Sequence, residues 1–144
     1  MLDTNILLTA TDAARRGHRE ATDLFELWPR AGSVLYGSGQ ILREYYAVAT
    51  RPVTVNGLGL SRADALSNLD VFSARLTIVD EDARVHDRLR SLLDAVPCTG
   101  KVVHDANIVA TMLVHGVDTI VTRNTADFDR FAEFIRVQDL LVAP

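Results

Sequence analysis

The stretch Val103-His104-Asp105-Ala106-Asn107-Ile108-Val109-Ala110-Thr111-Met112, followed past Gly116 by Thr119-Ile120-Val121-Thr122-Arg123-Asn124, decides the fold class. Ile108, Val109 and Met112 recur at helical spacing and put one apolar stripe on a helix. Gly116 then supplies the left-handed residue that closes such a helix. Thr119–Val121 is short, β-branched and apolar, which is the signature of a buried strand. A helix leading directly into a buried strand is one unit of a βαβ chain.

The same alternation extends in both directions. Ala21, Leu24, Phe25 and Trp28 fall at i, i+3, i+4 and i+7, and Pro29 is expected to end that helix. Ile41, Ala47 and Val48 mark a helix from about Ser38 to Ala49. Ala65, Leu66, Leu69 and Phe72 mark another behind a Ser61 N-cap. Val85, Leu89, Leu92, Leu93 and Val96 follow the acidic run Asp80-Glu81-Asp82, which suits the positive end of a helix dipole. Short apolar segments lie between: Met1-Leu2, Ser33–Tyr36, Leu76–Val79, Thr119–Val121 and Phe134–Val137. Strands alternating with helices predict a three-layer α/β domain, with a central parallel sheet of about five strands flanked by helices. The turn-rich stretch Arg51–Ser61, which contains Asn56-Gly57 and Gly59, reads as a loop inside that domain. Residues 1–144 are thus expected to form a single domain.

Composition bounds the class. The chain has 144 residues, a formal net charge of −4 and one cysteine, Cys98. A chain of this length buries roughly 70% of its unfolded surface and needs no disulfide or metal staple. One cysteine allows no internal disulfide, which favours a reducing compartment. No apolar run approaches the roughly 20 residues of a membrane span. Met1-Leu2-Asp3 opens without the basic and apolar segments of a secretory leader, so a cytoplasmic protein is expected. Of the 15 basic residues, Lys101 alone is lysine and the other 14 are arginine. A net negative charge argues against a broad basic surface for nucleic acid, yet leaves room for a local arginine patch.

In open α/β sheets, ligands bind outside the carboxyl ends of the strands. Asp3 follows the first apolar pair directly. Asp105 opens the Ile108–Met112 helix. Thr122, Arg123 and Asn124 follow Thr119–Val121, with Asp127 three residues later. Glu44 lies on the helix face shared with Ile41 and Val48. A carboxylate there is costly unless it is paired or binds a cation. Acids gathered at one sheet end call for raised pKa values or a hard divalent cation, and an oxygen-only donor set favours Mg²⁺ or Mn²⁺ over zinc. Each residue also has an ordinary reading. Asp3 would be a helix N-cap, Asp105 a first-turn dipole residue, Glu44 an ion pair with Arg43 or another arginine, and Asp127 a turn residue. Periodicity alone does not establish that the acids converge.

Leu2-Asp3-Thr4-Asn5 resembles the opening of the PIN-domain ribonucleases. So, in order, do Arg43-Glu44-Tyr45-Tyr46-Ala47-Val48, the Val103–Thr111 stretch, Val121-Thr122-Arg123-Asn124 and Asp127-Phe128. The chain is most similar to the VapC-like toxin nucleases of bacterial toxin–antitoxin pairs. The resemblance implies a parallel sheet whose strand ends gather three or four acids around one or two Mg²⁺ or Mn²⁺ ions. It assigns Asp3, Glu44 and Asp105 as the three acids and Asp127 as the fourth. Thr122 and Asn124 are alternatives at that corner, where the family varies, and Asn5 is the amide that orients Asp3. The implied activity is endoribonucleolytic cleavage of RNA by metal-activated water, held in check by a cognate antitoxin, and the implied assembly is a homodimer.

The alternative from another class is a catalytically inactive PIN-like module that binds RNA or protein. Retention of Asp3, Glu44 and Asp105 counts against it. A phosphoaspartyl phosphatase would want an aspartate where Asn5 stands, and a receiver-type regulator would want a lysine at a strand end. One departure concerns the first strand. Family members carry several apolar residues before the first acid, whereas only Met1-Leu2 precede Asp3. A truncated strand or residues further upstream would each account for this. The expected register keeps Met1–Thr4 paired, with lower stability than in longer relatives. Arg15, Arg16, Arg43, Arg51 and Arg123 are candidate phosphate contacts, and Tyr45 and Tyr46 are candidates for packing or base stacking. His18, His86, His104, His115 and Cys98 carry no ligand spacing and read as structural or surface groups.

Overall fold

The computed structural model describes residues 1–142. Helix α1 spans Thr4–Thr11 and α2 spans His18–Arg30. Strand β1 (Tyr36–Ser38) leads into α3 (Gly39–Ala49), and α4 (Arg62–Arg75) leads into β2 (Thr77–Val79). Helices α5 (Ala83–Ala95) and α6 (Val102–Val114) precede β3 (Thr119–Thr122). A short helix α7 (Thr125–Phe128) and strand β4 (Arg136–Asp139) complete the described chain. Single 3₁₀ turns lie at Val53–Val55 and Asp129–Phe131.

Among the described residues all strand pairing is parallel. Strand β1 pairs with β2 through Gly37 opposite Ile78, and β3 pairs with β4 through Ile120 opposite Val137. The segment Met1–Asp3 joins the two pairs. Leu2 N donates to Tyr36 O (2.9 Å), Asp3 N donates to Val121 O (3.0 Å) and Val121 N donates to Met1 O (2.9 Å). Leu2 and Val121 form an isolated parallel bridge. The expected sheet of about five strands therefore appears as two two-stranded pairs with a bridging stub between them. Thr4 does not extend the stub, because it begins α1. The three residues Met1–Asp3 ahead of that helix are too few to complete a ladder on both sides.

Two helices form the centre. In α1, Ile6 and Leu7 are fully buried; in α6, Ala106, Val109, Ala110, Thr111 and Met112 are buried to 0% exposure. A helix buried almost all round is packed on several sides rather than floated on a surface. Tyr45 of α3 is fully buried and meets Phe72 of α4 edge-on, with ring centroids 5.1 Å apart. Its hydroxyl bonds to Thr11 (3.0 Å) and Asn68 (2.9 Å), so Tyr45 is a packing residue with no face left for a base.

Local rules explain most boundaries. Ser38 and Ser61 cap α3 and α4 by accepting from Ile41 N and Asp64 N. Asp82 caps α5 by accepting from Arg84 N and Val85 N, so Asp80 and Glu81 lie outside that helix rather than in its first turn. Gly116 takes a φ of 67° after α6, the closure its sequence position predicts. Helix α2 runs one residue past Pro29; the Ala31 N–H still reaches Leu27 O (3.1 Å). The strand expected at Ser33–Tyr36 forms at Tyr36–Ser38, and that expected at Phe134–Val137 forms at Arg136–Asp139.

Candidate active site

The carboxyl ends of Met1–Asp3, β1 and β3 face the same end of the molecule as the first turns of α3 and α6. Asp3 occupies the N-cap position of α1, yet its side chain makes no capping bond. Instead Asp3 Oδ2 accepts from Thr122 Oγ1 (2.6 Å) and Asn5 Nδ2 (2.5 Å). Asn5 Nδ2 also reaches Thr122 Oγ1 (2.9 Å), and Asn5 Oδ1 accepts from Arg123 N (3.1 Å). Asn5 and Thr122 thus clamp one aspartate oxygen against the end of β3, and the simple N-cap reading of Asp3 fails.

Glu44 sits half-buried in mid-α3. Its Oε2 accepts from Thr4 Oγ1 (2.8 Å) and its Oε1 from Gln40 Nε2 (2.7 Å). Arg43 pairs with Glu81 (3.5 Å), so the ion-pair reading of Glu44 with Arg43 is not what forms. Asp105 lies half-buried in the first turn of α6. Among the described residues no donor is bonded to its carboxylate. Asp127 is exposed on α7 and accepts from Asn124 Nδ2 (2.6 Å); Asn124 N donates in turn to Thr122 Oγ1 (3.0 Å).

Electrostatics tie the four acids together. Burial pushes the Asp105 carboxyl up to about 6, and the negative charges of Asp127, Asp3 and Glu44 push the same way. Burial likewise lifts Asp3 to about 6, with Glu44 adding to the rise, while the bond from the Thr122 hydroxyl holds it down. Among the described residues none of the four has a lysine or arginine at ion-pair distance. A cluster of acids without bases is the condition under which a hard cation is favoured. Among the described residues no three His, Cys, Asp or Glu groups close on one point as a ready cage. The donor chemistry nonetheless fits an oxygen-seeking divalent ion: among the described residues no donor is bonded to Asp105, and each Glu44 oxygen has accepted only one bond.

Sequence reasoning passed over four polar residues here. Gln40 is buried and bridges Glu44 to the main chain of α6. Thr4 orients Glu44, and Glu81 and Asn107 bond to Gln40. The spacing of Gln40 four residues ahead of Glu44 puts both on one helix face, which is the signal that was available. Of the arginines, Arg15 pairs with Asp12, and Arg123 Nη1 donates to Arg16 O, pinning the α1–α2 loop. Arg16 and Arg51 have no carboxylate partner among the described residues. A cavity of about 410 Å³ lined by Leu2, Trp28, Leu35, Val117 and Thr119 lies at the amino ends of the strands and holds none of the candidate acids.

Known proteins resemble this chain along nearly its whole length. The PIN domain family model matches residues 1–134. Ribonuclease VapC48 of Mycobacterium tuberculosis is 32% identical over 139 residues, covering 95% of this chain and 94% of its own. Several solved structures share the fold. The DNA-bound VapBC of Salmonella typhimurium matches with a TM-score of 0.70 at 21% identity, over 97% of this chain and 96% of the other. VapBC2 of Rickettsia felis, bound to a promoter DNA fragment, matches with a TM-score of 0.67 at 19% identity, over 96% of both chains. The order of strands and helices, the acids gathered at the strand ends and the match along nearly all of its length establish that this chain belongs to the PIN-domain family.

Proposed function

We propose that this chain is an endoribonuclease, the toxin of a toxin–antitoxin pair, and that it hydrolyses RNA phosphodiester bonds with the help of Mg²⁺ or Mn²⁺. Asp3, Glu44 and Asp105 would hold the cation, with Asp127 as the fourth acid and Asn124 or Thr122 the alternatives at that corner. The observation that carries the chemistry is Asp105: a half-buried carboxylate, unbonded, uncompensated and lifted to about 6 among three other acids. Such a group wants a proton or a cation, and at neutral pH the cation is the better partner. Kinship with a protein named a ribonuclease supplies the substrate class.

A bound divalent ion supplies Lewis-acid activation of water and charge neutralisation at the phosphate. The chain's own residues do the positioning. Asn5 and Thr122 fix Asp3 by engaging its Oδ2. Thr4 and Gln40 fix Glu44 from two sides. The VapBC complexes that share the fold support a protein antitoxin as partner. Leu66 and Val71 of α4, 48% and 49% exposed, offer apolar surface for a homodimer.

The test is cleavage of a mixed RNA pool by purified chain freed of bound protein, with and without Mg²⁺ or Mn²⁺, beside Asp3→Asn and Asp105→Asn. Cleavage that needs the cation and vanishes in both variants supports the reading. Binding of RNA without cleavage under any cation would instead favour the inactive module.

A further inference from the structure

Glu44 and Asp105 ride on different helices, α3 and α6, so something must set their spacing. Gln40 spans the gap. Its side chain is 6% exposed, and every polar atom it carries is used. One Nε2 proton goes to Glu44 Oε1 (2.7 Å) and the other to the main-chain carbonyl of His104 (3.0 Å), the residue before Asp105. Its Oε1 accepts from Asn107 Nδ2 (2.7 Å), two residues after Asp105. Asn107 Nδ2 also reaches Glu81 Oε2 (3.1 Å), and Glu81 Oε1 accepts from Gln40 N (2.6 Å). The loop that carries Glu81, between β2 and α5, is thereby tied to both helices.

Only an amide satisfies this position. It must donate twice, to a carboxylate and a carbonyl, and accept once from another amide. A glutamate there would set an acceptor against Glu44. A methionine of similar length would strip Glu44 Oε1 of its donor and Asn107 of one of its two acceptors. The direction of each bond also fixes the amide's orientation, because a flipped Gln40 would face oxygen with oxygen.

We propose that Gln40 is a positioning residue: it holds the Glu44 carboxylate and the first turn of α6 in one register, so that Glu44 and Asp105 take a divalent cation together, with Asn107 and Glu81 bracing it. The proposal rests on the metal-nuclease reading above. Partners that orient ligating carboxylates and imidazoles commonly change metal affinity 10–100-fold when removed.

Calorimetric titration of Mn²⁺ into the full chain tests this, with Gln40→Met, Asn107→Ala and the double variant run beside wild type, and with thermal melts to verify folding. Expected are a roughly 10–100-fold weaker Mn²⁺ affinity for Gln40→Met, a smaller loss for Asn107→Ala, and a double variant no weaker than Gln40→Met. That last result follows if Asn107 acts only through Gln40. A Gln40→Met protein that melts lower yet binds Mn²⁺ as wild type does would make Gln40 a structural residue only and overturn the proposal. Fully additive losses would overturn the bracing role of Asn107. If Gln40→Met does not fold, Asn107→Ala decides alone, since an unchanged affinity there would contradict the inference. Wild-type chain that takes up no Mn²⁺ would defeat the metal-nuclease reading itself, an outcome separate from any difference between variants.

Discussion

Asp105 and Asp3 hold protons in the folded chain up to about pH 6, whereas an ordinary aspartate releases its proton near 3.8. Between those values the folded state binds more protons than the unfolded one. Stability therefore falls as pH rises through that window, and the loss is complete above about 6. The metal-free protein is expected to melt higher at pH 5.5 than at 7.5, with a smaller difference in Asp105→Asn. That variant removes the repelled charge without changing the side chain's shape. At pH 7.5 it should gain on the order of 1 kcal/mol after allowing for solvent screening, or roughly 2–4 °C, while losing cleavage. A melt series across pH reads both effects, and an unchanged or lower melting temperature would contradict the electrostatic account. Thr122 gives a second residue-scale prediction. It is fully buried, and its hydroxyl donates to the charged form of Asp3. Thr122→Val should cost about 1–3 kcal/mol in stability. It should also move the acidic limb of the cleavage profile to higher pH, because the charged carboxylate loses a donor.

At the scale of elements, two glycines with different constraints make a differential test. A Cβ on Gly57 would lie 2.0 Å from the Arg51 carbonyl oxygen, a backbone atom that cannot swing away. Gly116 has a φ of 67° but nothing within 4 Å of its Cβ position. Gly116→Ala should therefore cost about 1–2 kcal/mol, the price of the left-handed conformation. Gly57→Ala should cost more, because the Arg51–Ser61 loop has to move; chemical denaturation of the two variants compares them. These glycines were legible as turn signals, as were the Ser61 cap and the stripes of α3, α5 and α6. The strands were less so. A three-residue strand has no room to show alternation, and Gly37 and Ser38 carry no apolar signal. They belong to β1 because both faces are covered: a Cβ on Gly37 would meet Leu76 Cδ1 at 3.0 Å. Gln40 was hidden for a related reason. A glutamine on a helix reads as solvated until the facing helix is known to bring a carbonyl and an amide to it.

For the molecule as a whole, the net charge of −4 argued against nucleic acid. The fold changes its meaning, because four of the acids stand around one end of the strands and a bound cation would offset them. The candidate arginines are likewise sorted by structure: Arg15, Arg43 and Arg123 are engaged by Asp12, Glu81 and the Arg16 carbonyl, and among the described residues Arg16 and Arg51 have no carboxylate partner. Asp3, Glu44 and Asp105 could be picked out from sequence by their place after strands and on apolar helix faces. Their convergence could not, since it depends on residues 41 to 102 positions apart meeting in space. Expression of the chain alone in a bacterial host should arrest growth, and co-expression of its antitoxin should restore it; unimpeded growth with folded toxin present would contradict the toxin role. The central claim is that this acid cluster hydrolyses RNA with water and a divalent cation. It is tested most directly by stripping the protein with a chelator, returning Mn²⁺ or Mg²⁺ in the presence of a defined cleaved RNA, and analysing the product ends. Expected is no cleavage until the cation returns, then 5′-phosphate and 3′-hydroxyl ends. Cleavage in chelator, or ends bearing a 2′,3′-cyclic phosphate, would contradict it.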